Sequence, residues 1–126
     1  MIYNQSILKV IDNSGASKVK CLKILGGLKK TPVSEGDFLV ISVYRLKKKN
    51  KDISKVLKGN VLKALLLRTK KKKRKKDGSF FNFTENSVCL LNNKKKLLAT
   101  RVIGPLSRTV KKNSILKSLN LSTGFF

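Results

Sequence analysis

The stretch from Val61 to Leu91 constrains this chain most. It opens with Val61, Leu62, Ala64, Leu65, Leu66 and Leu67, an apolar run interrupted by Lys63. Arg68 and Thr69 lead into Lys70, Lys71, Lys72, Lys73, Arg74, Lys75 and Lys76, and Asp77-Gly78 follows. Phe80, Phe81 and Phe83 then return the chain to Val88-Cys89-Leu90-Leu91. Desolvating one unpaired ammonium costs several kcal/mol, so so dense a tract cannot enter a core. The apolar ends predict two core strands. The middle predicts a positively charged ribbon that faces water or an anion. Asp77-Gly78 is the strongest hairpin signal, because glycine supplies the positive φ of a primed turn.

The rest of the chain sharpens the question of which anion. Across 126 residues, 30 Lys and Arg stand against 6 Asp and Glu, a net charge of +24. A compact domain with that charge repels itself, and a polyanion relieves it. Nucleic acid is the first candidate and an anionic membrane surface the second. No run is long or pure enough to span a bilayer. Met1 to Ser6 has neither a basic n-region nor an apolar h-region, so no signal or transit peptide is expected. Hydrophobic residues make up 40%, enough for the modest core of one domain covering residues 1–126.

Along the chain, short apolar segments alternate with turn formers. Ser6 to Ile11 reads as a strand, and Asp12-Asn13-Ser14-Gly15 as a plain hairpin turn or, less simply, a phosphate-cradling loop. Val19 to Leu25 is a strand, with Lys18 and Lys20 sharing one face by the two-residue period. Ser34-Glu35-Gly36-Asp37 is a turn, and Phe38 to Tyr44 is the most β-prone stretch. Gly104-Pro105 ends regular structure. Beyond it, apolar positions from Val110 to Leu121 fit a short amphipathic helix. Together these predict a mostly β protein. It is a small antiparallel barrel with a basic hairpin over about 61–91 and a C-terminal helical part over about 105–121.

Candidate chemistry is sparse. The chain has no histidine, which removes the commonest general base and metal ligand. The acids Asp12, Glu35, Asp37, Asp52, Asp77 and Glu85 fall almost entirely in predicted turns, and turn chemistry accounts for Glu35 and Asp37. Cys21 and Cys89 read as small core hydrophobes of a reducing compartment, a disulfide between them being the alternative. No enzyme constellation, metal or cofactor is expected.

What remains is the placement of cations. Lys29-Lys30, Lys47-Lys48-Lys49 with Lys51, Lys70 to Lys76, and Lys94-Lys95-Lys96 all fall at strand ends. One such cluster is usually a solvated face. Four clusters at +24 point to phosphates, with affinity that falls steeply with salt. Lysine outnumbers arginine 25 to 5. This favours backbone contact over base reading, since arginine is the bidentate partner of guanine. Arg68, Arg101 and Arg108 are the better candidates for fixed geometry. Without aromatic-basic repeats, folded RNA held by shape and backbone fits best. The lysine excess also suggests A/T-rich coding, as in an organelle or a reduced bacterium.

Several ordered motifs resemble the large-subunit ribosomal protein L-fourteen family along nearly the whole chain. They run from Asp12-Asn13-Ser14-Gly15-Ala16 through Val19 to Gly27 and the Glu35-Gly36-Asp37 turn. The central block is Gly59, Val61 to Ala64, Arg68 to Lys71, Asp77-Gly78, Phe83, Asn86 and Leu90 to Asn93. Thr100-Arg101-Val102-Ile103-Gly104-Pro105 and Ser107-Arg108 complete it. The resemblance implies a closed five-stranded barrel and binding to large-subunit rRNA. It implies neighbouring large-subunit proteins, a share in intersubunit bridges to small-subunit rRNA, and a surface for a ribosome-silencing factor. A mitochondrial ribosome is the preferred location, with plastid or bacterial cytoplasm as alternatives. The chain departs from the family pattern at Ala99, where glycine is usual, and at Thr109, where an acid is usual. Its loop over 47–58 is longer and more basic, and its ending, Ser118 to Phe126, differs.

Overall fold

The computed structural model describes residues 2–26, 33–47, 54–112 and 123–126. Among these residues seven strands follow in order: β1 (Ile7–Val10), β2 (Ala16–Ile24), β3 (Phe38–Leu46), β4 (Val61–Arg68), β5 (Lys73–Arg74), β6 (Phe80–Phe81) and β7 (Ser87–Leu91). Strands β1, β2, β3, β4 and β7 close a barrel, and β5 pairs with β6 as a separate ribbon. The expected five-stranded barrel is therefore present. Its neighbours pair antiparallel, except that β7 closes on β1 in parallel.

Alternation along the strands builds the interior. Leu8 and Val10, Val19 and Cys21, Leu39, Ile41 and Val43, Ala64 and Leu66, Val88 and Leu90 fill the barrel. Burying each of the larger ones stabilises the fold by about 1.5–3 kcal/mol. A second cluster lies outside the wall. Leu65, Leu67, Cys89 and Leu91 face outward, where Val102, Leu106, Val110 and Phe125 of the C-terminal segment cover them. Strands β4 and β7 are thus buried on both faces, which is why they read as continuous apolar runs. Cys21 belongs to the inner cluster and Cys89 to the outer one, and both are free thiols. The disulfide alternative does not occur.

The C-terminal cover is pinned by backbone bonds. Leu106 N donates to Gly124 O at 2.9 Å, and Arg108 N donates to Phe126 O at 2.8 Å. Of the helical part expected over 105–121, the described residues hold a 3-10 turn at Arg108–Lys112. Residues 113–121 of it lie outside the described residues.

The Asp12 to Gly15 block is more than a plain turn. Asp12 is fully buried, and its Oδ2 accepts from Leu90 N at 2.8 Å. Its Oδ1 accepts from Ser14 N at 3.0 Å and from the Ser14 hydroxyl. Asn13 Oδ1 accepts from Thr100 N at 3.0 Å, and Asn13 Nδ2 donates to Thr100 Oγ1 at 2.8 Å. The block therefore fastens β7 and the C-terminal segment to the first hairpin.

Candidate nucleic-acid interface

The basic ribbon grows out of the β4 end. Lys70, Lys71, Lys72, Arg74, Lys75 and Lys76 are exposed, as burial costs demand. Its two strands meet with Lys73 opposite Phe81 and Arg74 opposite Phe80. Lys73 and Arg74 thus lie within a short strand rather than at a strand end. At the tip, Lys75 N donates to Ser79 O at 2.8 Å, and Gly78 N donates to Lys75 O at 3.1 Å. Gly78 takes φ +85°, whereas Asp77 stays at negative φ. This is a three-residue loop with glycine in the left-handed position, and not the primed two-residue turn expected. Asp77 Oδ1 accepts from Ser79 N at 3.0 Å and from Ser79 Oγ at 2.7 Å, which shapes the loop.

The root of the ribbon is braced from three sides. First, Arg68 Nε donates to Pro105 O at 2.9 Å, and Arg68 Nη2 donates to Ile103 O at 2.6 Å. Its guanidinium also lies over the Phe83 ring, 5.7 Å from the centroid. Gly104 lets it in: its φ is +85°, and a Cβ there would overlap Arg68 Nη2. Second, Lys70 N donates to Asn86 Oδ1 at 2.9 Å, and Phe83 N donates to Thr69 O at 3.2 Å. Third, Lys73 Nζ turns back and donates to Glu35 Oε2 at 2.6 Å and to Thr109 Oγ1 at 3.2 Å.

Glu35 is the unexpected residue here. Its side chain is 1% exposed. Oε1 accepts from Thr69 N at 3.2 Å and from Thr69 Oγ1 at 3.0 Å, while Oε2 also accepts from Thr109 Oγ1 at 3.1 Å. Burial pushes the Glu35 carboxyl up. The hydrogen bond from Lys73, the Ser107 and Thr69 hydroxyls and the Lys73 charge outweigh it and hold the group below its ordinary value. Turn chemistry does explain Asp37, whose Oδ2 accepts from Ser34 N at 2.8 Å. It does not explain Glu35. The available signal was a lone acid three dozen residues before a lysine tract, which spacing alone does not connect.

A protein-family model described as Ribosomal protein L14p/L23e covers residues 1–126. The chain belongs to that family. As a ribosomal protein it is a structural constituent of the large subunit and acts in translation. Among the described residues no group of His, Cys, Asp and Glu could hold a metal ion, and no helix is long and apolar enough to cross a membrane.

Within this ribosomal protein the expected cations divide into several groups. Lys94, Lys95 and Lys96 are exposed on a tight turn in which Lys95 takes φ +59° and places Nζ 5.4 Å from the centre of the Phe38 ring. Arg101 and Arg108 are exposed, and the Arg101 backbone N donates to Asn13 Oδ1 at 3.4 Å. Lys47 Nζ donates to Asp12 O at 3.0 Å. Lys29, Lys30, Lys48 and Lys49 lie outside the described residues. Arg68 and Lys73 are tied to protein partners and Lys75 Nζ lies 5.3 Å from the centre of the Phe81 ring, while Lys70, Lys71, Lys72, Arg74 and Lys76 are exposed.

Proposed function

We propose that the chain binds large-subunit rRNA chiefly through phosphates, with the ribbon as its main contact. Lys70, Lys71, Lys72, Arg74, Lys75 and Lys76 neutralise backbone charge, and Lys94 to Lys96 extend the contact at a second turn. Lys47, Lys48, Lys49, Lys29 and Lys30 belong to the same reading. Arg101 and Arg108 add oriented contacts. Arg68 and Lys73 act from beneath, by fixing the ribbon's angle to the barrel. One observation carries the reading: exposed cations cluster on an arm whose root is held by ion pairing, hydrogen bonds and ring contacts. Fixing an arm before binding reduces the entropy lost on association.

Membership of the family supports neighbouring large-subunit proteins as partners, a share in intersubunit bridges to small-subunit rRNA, and a surface for a ribosome-silencing factor. The lysine-over-arginine bias fits an A/T-rich genome, and with it a mitochondrial ribosome first and a plastid or bacterial one second. The test is affinity for an rRNA fragment measured against salt. Replacing Lys71, Lys72 and Arg74 with neutral residues lowers affinity and flattens the logarithmic salt slope by roughly two to three. An unchanged slope removes these residues from the interface.

A further inference from the structure

At the root of the ribbon, β1 and β2 border a cleft of about 370 Å³ lined by Lys9, Lys18, Lys70, Glu85, Asn86 and Ile7 among others. Lys9 and Lys18 are direct cross-strand partners in the β1–β2 register. Like charges so placed destabilise an antiparallel pair, and a nearby anion relieves the repulsion. Glu85 supplies one carboxylate: its Oε2 lies 2.7 Å from Lys9 Nζ, and both side chains are about half exposed. Among the described residues Lys18 and Lys70 make no ion pair within 4 Å, although the Glu85 charge also reaches Lys70 and Arg68. The Asn86 amide is oriented by Lys70 N, which donates to Oδ1 at 2.9 Å and leaves Nδ2 as the group able to donate. Ile7 adds an exposed apolar wall.

We propose that this cleft is a phosphate-binding site at the ribbon root, which shares Lys70 with the ribbon's exposed face and is otherwise built from β1, β2 and Asn86. Lys18 and Lys70 are its principal ligands, Asn86 Nδ2 is a neutral donor, and Lys9 joins as Glu85 is displaced. An exposed pair such as Lys9–Glu85 holds weakly, so an incoming phosphate competes well for the ammonium. The buried Lys73–Glu35 pair offers no such exchange. The phosphate comes either from an RNA backbone lying against the ribbon root or from a free nucleotide whose base rests on Ile7.

The test titrates inorganic phosphate and, separately, adenosine monophosphate into the isotope-labelled full-length chain and reads backbone amide shifts. The amides of Lys9, Lys18, Lys70 and Asn86 move with a shared midpoint, at lower ligand concentration than those of Lys75, Lys76 and Lys94. Lys18→Gln weakens binding about fivefold or more, and Glu85→Gln strengthens it about twofold. Lys23→Gln, at an exposed position on the same strand outside the cleft, changes it by less than about twofold. Equal affinity for the two ligands shows that the base is not read, which supports an RNA backbone over a free nucleotide as the source of the phosphate. Tighter binding of the nucleotide, with movement of the Ile7 methyl signals, assigns it to a free nucleotide. Equal midpoints at every lysine cluster, or equal losses from Lys18→Gln and Lys23→Gln, overturn the site. Because no RNA is present, that failure leaves the rRNA reading standing.

Discussion

Glu35 and Lys73 are 38 positions apart in sequence, and their charged atoms lie 2.6 Å apart at the ribbon root. The acid is 1% exposed and the lysine 21%. In a chain of net charge +24 a carboxylate is scarce, and this one is spent on a lysine inside the protein. Removing either partner strands the other. Lys73→Met is expected to cost about 2–3 kcal/mol, below the 3–5 kcal/mol of a fully buried pair because Lys73 is partly wet. Lys72→Met, on the exposed face, is expected to stay within about 0.5 kcal/mol. Urea unfolding of the two variants separates them.

The same site offers a relocation test. Thr109 Oγ1 is 3.2 Å from Lys73 Nζ and 3.1 Å from Glu35 Oε2. An acid there would reach the same ammonium from beside Glu35. Thr109→Glu alone is expected to destabilise by about 1 kcal/mol through like-charge repulsion. Combined with Glu35→Gln it is expected to recover about half of the loss that Glu35→Gln causes alone. A double-mutant cycle in denaturant measures the coupling.

Acid should loosen this brace. The Glu35 carboxyl sits below its ordinary value of 4.5 in the folded chain, so the unfolded chain binds its proton first. Its contribution to stability is complete above about pH 4.5 and is lost as pH falls through the lower, folded value. Glu35→Gln removes that part of the acid dependence. Melting temperature measured between neutral pH and pH 3 is therefore expected to fall less in the variant than in the parent, each relative to its own neutral value.

Gly104→Ala tests the clasp on Arg68. The new methyl would overlap Nη2, and φ +85° is strained for alanine. Relief requires the guanidinium to leave the Ile103 and Pro105 carbonyls. The expected loss is about 2–3 kcal/mol from strain plus two charge-assisted bonds. Gly78→Ala, where nothing lies within 4 Å of the added carbon, carries the strain alone and is expected to cost about 1 kcal/mol.

Thiol reagents report on the two core layers. Burial raises the pKa of both Cys21 and Cys89, most strongly for Cys89. Neither is expected to react in the native protein at pH 7, and both react at once in denaturant. Mass spectrometry after a timed pulse of iodoacetamide checks this.

Alternation in β2 and β3 and the unbroken apolar runs of β4 and β7 made the barrel legible, because each reflects which faces are covered. The ribbon was legible for a similar reason, since so many ammoniums have nowhere to go but outward. The parallel β1–β7 seam was not, because Lys9 meets Ser87 only when the wall curves round to join its own beginning. Glu35 was misread because a turn composition of Ser-Glu-Gly-Asp explains its neighbours and hides a contact made far along the chain. The clasp of Arg68 on the Ile103 and Pro105 carbonyls was hidden, because nothing in its sequence surroundings announces the Gly104 gap. The Lys9–Lys18 juxtaposition follows from a register that the turn at Asp12 to Gly15 sets, and strand boundaries from sequence are too loose to give it.

The seam between β1 and β7 also orders events during synthesis. The first strand to be made must wait for the last one in the wall, with the whole cationic arm produced between them. Until then the growing chain is an open sheet with bare edges, and contacts this distant in sequence form slowly. The positively charged half-shell therefore has no shut form until Leu91 has been made.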